Sequence, residues 1–166
     1  MTQSTHSSWM IWHEASGRDE IDAAIRGLYA DIDQAVAERR PVCNASGRCC
    51  RFEEYGHRLY VTGLEIAWFL RQLADDGGQN GNDFRLQQAA SSPSCPYQIN
   101  GLCSTHTIRP LGCRVFFCEQ GTEAWQQDRT EHFLNALKQV HTQHELPYAY
   151  MEWRVGLAEA AQQLAS

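Results

Sequence analysis

The sequence predicts a mainly α fold: a small helical domain in which two cysteine-rich irregular loops converge on a metal centre. Three observations carry that prediction. Four segments place apolar residues at steps of three or four, the signature of helices with one buried face. All seven cysteines fall outside those four segments, in two stretches near 41–61 and 91–119. And 166 residues suffice to bury a core without disulfide staples. A single domain over 1–166 is expected, with 1–15 as an N-terminal extension, 41–119 holding the cysteine-rich segments around an intervening helix, and 120–166 supplying C-terminal helices.

The first helix is read over 19–40 from Ile21, Ile25, Leu28, Tyr29, Ile32 and Val36, with Ser16 and Asp19 in capping-box spacing before it and Pro41 ending it. The second starts after Thr62, whose hydroxyl can cap while Glu65 reaches back. It carries Ile66, Phe69, Leu70 and Leu73 on one side. Residues 75–83, DDGGQNGND, read as an exposed loop. A third helix is expected over about 122–145, from Trp125, Phe133, Leu137, Val140 and His144, closed by Pro147. A last one follows over 150–164.

Charge and hydropathy narrow the function classes. Fourteen basic against 20 acidic side chains give a formal charge of -6, which argues against a nucleic-acid partner. No apolar run approaches the roughly 20 residues that cross a bilayer, and the first eight residues lack the regions of a secretory signal, so no membrane role and a cytoplasmic location are expected. In a reducing compartment disulfides do not persist, and seven cysteines cannot all pair within one chain. Core cysteines would sit at the apolar helix positions, where none is found. Metal ligands belong on loops that can bend several sulfurs toward one point.

The first stretch runs Cys43, Cys49, Cys50, with Gly47 able to take the left-handed conformation of a tight loop. The second runs Cys95, Cys103, Cys113, Cys118, punctuated by Pro96, Gly101, Pro110 and Gly112. Cys43, Cys49-Cys50, Cys95-Pro96, Gly101-Leu102-Cys103, Arg109-Pro110 and Cys113-Arg114 together resemble the bacterial CxxCxxCC, or YkgJ-type, cysteine-cluster family, described as zinc- or iron-chelating domains. The resemblance covers roughly residues 43–118. Two positions depart from it: Ser46 stands where the second cysteine is expected, and His106 where an aromatic usually follows. In Cys-x2-His spacing with Cys103, His106 is a replacement ligand or else a solvated loop histidine. More distantly, the pattern is similar to the cysteine cluster of flagellin lysine N-methylases, which implies a four-iron cluster and methyl transfer from S-adenosylmethionine.

Four thiolates suit tetrahedral zinc and an iron-sulfur cluster alike. No intact Cys-x2-Cys occurs in the chain, which disfavours zinc, and Val115, Phe116 and Phe117 are placed to shield a cluster. The expected function is therefore a cysteine-ligated metal-binding protein holding an iron-sulfur cluster, of the 4Fe-4S type, with a redox or protein-modifying role. The alternative is a structural-zinc interaction module without catalytic activity. Cys50, Cys95, Cys103 and Cys113 are the main expected ligands, with Cys43, Cys49 and Cys118 as further ligands or redox-active thiols. Adjacent Cys49 and Cys50 can share one ion only through a strained ring, so they are expected to face different sites or one of them to remain free. A metal-free switch exchanging disulfides among Cys49, Cys50 and Cys118 is a further reading.

Arg109 and Arg114, with Arg48 and Arg51 nearby, are candidates to offset a thiolate centre's charge or hold an anionic cofactor; the alternative is that Arg109 and Arg114 tie the loop to carbonyls or acidic side chains. His141 and His144, with Glu145, form a second candidate metal site, and the aromatic stretch 146–153 reads as a helix-docking surface. No glycine-rich nucleotide loop, Ser/His/Asp ordering, Cys-x3-Cys-x2-Cys run or methyl-donor fingerprint assigns catalytic residues. The partner or substrate is expected to be a protein of unassigned identity.

Overall fold

The computed structural model describes residues 2–41, 47–76 and 85–164. The first helix of the chain lies where an N-terminal extension was expected. Thr2–Ala15 forms α1, and the three-residue spacing of Trp9, Trp12 and Ala15 buries one face completely. Trp12 Nε1 donates to the Pro147 carbonyl at 2.8 Å, and a Cβ on Gly63 would overlap the Trp12 ring. Apolar Met10 and Ile11, exposed between the two tryptophans, blur the helical period of this face in the sequence.

Asp19–Arg39 forms α2, burying Ile21, Ile25, Leu28, Tyr29 and Ile32. It ends on Arg40 in left-handed conformation, ahead of Pro41, which cannot continue a helix. The expected capping box at Ser16 does not form. The Ser16 hydroxyl donates to the His13 carbonyl and accepts from Arg71 Nε at 3.0 Å, so it closes α1 instead of opening α2. Asp19, Glu20 and Asp22 in the first turn supply the negative charge that a helix N-terminus favours.

Phe52–Tyr55 makes a single helical turn, α3, followed by strand β1, Tyr60–Thr62, and helix α4, Gly63–Asp75. Here the predicted capping box is present: Thr62 Oγ1 accepts from Glu65 N–H at 3.2 Å while Glu65 Oε2 accepts from Thr62 N–H at 2.9 Å. The helix ends as the acidic run begins, and the rest of that expected loop, 77–83, lies outside the described residues.

Strands β2, Gln98–Ile99, and β3, Leu102–Cys103, form a small hairpin, and Leu111–Val115 forms the short helix α5. Helix α6 spans Glu123–Gln143 and buries Phe133, Leu137, Val140 and His141. The expected last helix starts three residues late. Tyr150–Glu152 is strand β4, antiparallel to β1 with Val61 opposite Met151, and α7 runs Trp153–Leu164. Glu152 explains the switch, because its Oε2 accepts from Val155 N–H at 3.0 Å and so caps the helix from outside.

α1 packs on α4 and α7, while α2 packs on α5 and α6. One core joins them, dominated by Trp9, Trp12, Trp68, Trp153, Tyr97, Phe52 and Phe69. The stretch 146–153 is split by it: Trp153 is buried edge-on to Phe69, and Tyr148 and Tyr150 stay exposed. Among the described residues no helix is long and apolar enough to cross a membrane. The mainly α expectation holds, with two two-stranded sheets added among the described residues.

Candidate functional site

The two cysteine segments meet, and backbone contacts hold them together. Gly47 adopts φ 72°, as its position in the sequence suggested, and turns the chain into the 3-10 turn Arg48–Cys50. A Cβ there would overlap the Gly101 carbonyl across the interface, so the close approach as well as the φ requires glycine. Gln98 Nε2 donates to the carbonyls of Gly47 and Gly101 at 2.9 and 3.2 Å, and Cys95 N–H donates to the Cys50 carbonyl at 2.7 Å.

The second segment brings two further cysteines in on defined elements. Asn100 and Gly101, both at positive φ, turn the β2–β3 hairpin and place Cys103 at the end of β3. Cys113 rides on α5, whose position is set from below. Buried Glu65 Oε1 accepts from Leu111 N–H at 2.9 Å and from Tyr29 OH at 3.0 Å, tying α5 to α4 and α2.

Cys50 is the hub of the sulfurs. Its Sγ lies 4.0 Å from that of Cys49, and Cys103 and Cys95 are near enough for its thiol to shift their titration. Cys95 Sγ accepts from Trp153 Nε1 at 3.4 Å, and Cys103 Sγ lies 3.8 Å from Thr105 Oγ1. Cys113 is close enough to feel charge on Cys95, Cys103 and Cys49. Thus five cysteines, Cys49, Cys50, Cys95, Cys103 and Cys113, come together from four separate segments. Cys118 is exposed and is not in this group, and Cys43, like Ser46, lies outside the described residues.

Of the two expectations for Cys49 and Cys50, that they face different sites or that one remains free, their sulfurs, 4.0 Å apart, speak to the first: they do not point away from each other.

The electrostatics follow from one proton serving three neighbours. Hydrogen bonding from Cys50 lowers the Cys103 thiol to about 5 and Cys49 to about 7, and lowers Cys95 as well, against desolvation in each case. Those same bonds hold the Cys50 thiol protonated, and burial pushes Cys113 well up. A thiol has a single S–H, so it serves one acceptor fully at a time and leaves the others to repel as thiolates. A thiophilic cation resolves that conflict, so the donor set fits a thiolate-bound metal. Among the described residues, however, no three His, Cys, Asp or Glu side chains are already set as a metal-holding group.

Around the sulfurs, the arginines divide. Arg114 is consumed structurally: it donates to the Arg109 and Thr107 carbonyls at 2.7 and 2.8 Å, pairs with Asp33 at 2.8 Å, and lies over the Tyr29 ring. Each nitrogen of its guanidinium already has a protein partner, as the alternative reading of a loop tie expects. Arg109 is different, since its charge bears on Cys49 and Cys113 and its buried Nε has no hydrogen-bond partner. Arg48 lies over Tyr55, and Arg51 pairs with Glu54 at 3.6 Å. His106 is exposed at its 3-10 turn and held below its usual pKa by desolvation and Arg109.

The second candidate site is not assembled. Buried His141 Nδ1 donates to the Pro147 carbonyl at 2.8 Å and closes the end of α6 instead of meeting His144 and Glu145 about an ion. Val115 and Phe117 are buried as expected, while Phe116 stacks on His57.

Two residues at the site carry no sequence signal. His57 Nε2 donates to the Cys49 carbonyl at 3.2 Å, and Trp153 reaches Cys95 across 58 residues. No spacing rule links either to a cysteine. Compared with family models, curated proteins and solved structures, the chain matches none of them, so the reading of the site rests on its residues.

Proposed function

We propose that this chain is a cysteine-ligated metal-binding protein of a reducing compartment, its centre formed from Cys50, Cys95, Cys103 and one or both of Cys49 and Cys113. The observation that carries the proposal is the gathering of five sulfurs, that of Cys50 among them, from four separate segments. Structural sites of this kind contribute binding energy directly to folding, and here the sulfurs lock together the two long irregular segments.

The two metal readings separate on geometry. Sulfurs on one tetrahedral zinc ion stand about 3.8 Å apart, from a Zn–S bond near 2.3 Å. The 4.0 Å between Cys49 and Cys50 suits that spacing. Ligands of a 4Fe-4S cluster cap different corners of a cube and stand farther apart, so this pair cannot serve two of its irons as placed. The resemblance to the CxxCxxCC family and to the flagellin lysine N-methylases favours the cluster, and the sulfur spacing favours a single ion held as a structural staple for a protein partner.

Purification without oxygen, followed by visible absorption and elemental analysis for iron, sulfide and zinc on one sample, tests both. Zinc near one per chain and a colourless protein support the single ion; brown colour with equal iron and sulfide supports the cluster. A protein that carries no metal, and gains none when zinc or iron and sulfide are supplied, overturns the proposal.

A further inference from the structure

Of the three thiols considered for disulfide exchange, the fold joins two and leaves out the third. Cys49 and Cys50 hold their sulfurs 4.0 Å apart, whereas Cys118 is exposed outside the gathered group. The joined pair is unequal in access: Cys49 is half-buried, and Cys50 is only 5% exposed. A water-sized reagent therefore meets Cys49 first, with a second sulfur close by.

The backbone around the pair is pinned. His57 Nε2 donates to the Cys49 carbonyl at 3.2 Å, Cys95 N–H to the Cys50 carbonyl at 2.7 Å, and Cys50 N–H to the Gly47 carbonyl at 3.2 Å. To bond, the sulfurs must close from 4.0 Å to roughly 2.05 Å by rotation of the side chains, across a trans peptide. That peptide sets the two Cα atoms about 3.8 Å apart, short of the roughly 4.4 Å at which disulfides usually begin. A bridge here is strained, and strained disulfides yield readily to thiols. Such a bond suits a reversible switch and not a permanent staple.

We infer that Cys49 and Cys50 form a reversible oxidation site for hydrogen peroxide. The Cys49 sulfur attacks one peroxide oxygen, the O–O bond breaks, and Cys49 becomes a sulfenic acid while the other oxygen leaves as water. The Cys50 sulfur then attacks the Cys49 sulfur and gives up its proton, the S–O bond breaks, and a second water leaves. Two electrons pass from the two thiols to one peroxide, and the product is the Cys49–Cys50 disulfide. Two molecules of a small thiol reverse the reaction and leave joined as their own disulfide. The chemistry needs no bound metal and so stands apart from the metal-binding reading. It bears on the same place, because the disulfide withdraws Cys50 from the sulfur group.

The test treats the full chain, as purified, with limiting hydrogen peroxide, blocks the remaining thiols by alkylation and maps them by mass spectrometry. Two of the seven thiols are expected to be lost, with the tryptic peptide Cys49–Arg51 lighter by two hydrogens, and millimolar reduced glutathione is expected to restore all seven. Cys118→Ser, with six thiols to begin with, is expected to lose the same two, and Cys49→Ser to leave Cys50 alkylatable. A disulfide that instead joins Cys50 to Cys95 or Cys103, a Cys49–Cys50 pair left intact while Cys118 oxidises, or a pair product that glutathione does not reduce overturns the site. The wild-type map decides the matter even if a variant does not fold. Metal content, measured separately by elemental analysis, decides the metal reading whichever way the thiols map.

Discussion

Glu65→Gln isolates the buried carboxylate on which the cysteine-bearing helix α5 rests. Glu65 Oε1 accepts from Leu111 N–H and Tyr29 OH, and Oε2 accepts from the Thr62 N–H and hydroxyl. Glutamine presents one oxygen and one NH2. Tyr29 and Thr62 hydroxyls can rotate to accept from the NH2, but each carboxylate oxygen also faces a backbone N–H that can only donate. Whichever way the amide sits, one buried N–H loses its acceptor, at a cost of about 1–3 kcal/mol. With a urea m-value near 2 kcal/mol/M, the midpoint falls by roughly 1 M. A protonated Glu65 does not share this defect, since its O–H can point to Tyr29 while both oxygens still accept. The pH dependence follows from the sign of the shift. Burial, the largest influence, raises the Glu65 pKa, so the folded state holds its proton more tightly than the unfolded chain. Stability from this group is full below the unfolded pKa of about 4.5 and declines as pH rises through the raised folded value. Glutamine has no such slope, so the deficit of the variant is largest in acid and narrows with rising pH. Paired urea titrations across pH 4 to 8 measure it, and an unchanged midpoint, or a deficit that widens with pH, refutes the reasoning.

Gly47→Ala is expected to destabilise by about 1–2 kcal/mol through its φ of 72°, and by more through overlap with Gly101; a thermal midpoint equal to wild type would show that the two loops do not touch there. Arg114→Met strips donors from two carbonyls and Asp33 and should cost about 2–4 kcal/mol, with the metal content per folded chain unaltered; lost metal in a fully folded variant would restore Arg114 to the site. Cys50→Ser removes the sulfur shared by three neighbours and is expected to abolish metal retention, whereas Cys118→Ser, at an exposed thiol, leaves it intact. Equal metal in both variants, by elemental analysis, would separate the sulfur group from metal binding.

Features that depend on near neighbours in the chain could be read from residue order. The buried faces of α2 and α6 recur every three or four residues, the Thr62–Glu65 box needs a separation of three, and Gly47 marks its own turn. The segregation of cysteines from the long helices was visible for the same reason, being a statement about position along the chain, whereas the short helix α5 that carries Cys113 was not. Ser16 shows where such reading fails: the spacing of a cap was present, but Arg71, 55 residues away, claimed the hydroxyl.

By itself, then, the sequence determined a mainly helical chain whose sulfurs lie outside its long helices. Only the tertiary structure decided which sulfurs meet, because that depends on contacts between distant parts of the chain. Cys50 meets Cys95 through packing of the two loops, and Trp153 reaches Cys95 from a helix 58 residues on. Arg114 finds Asp33 across 81 residues and leaves the site for the scaffold, and Trp9 and Trp12 turn an expected extension into core. Local periodicity reports which face of an element avoids water. It does not report which partner covers that face, and here that partner determines whether a cysteine or an arginine faces the site.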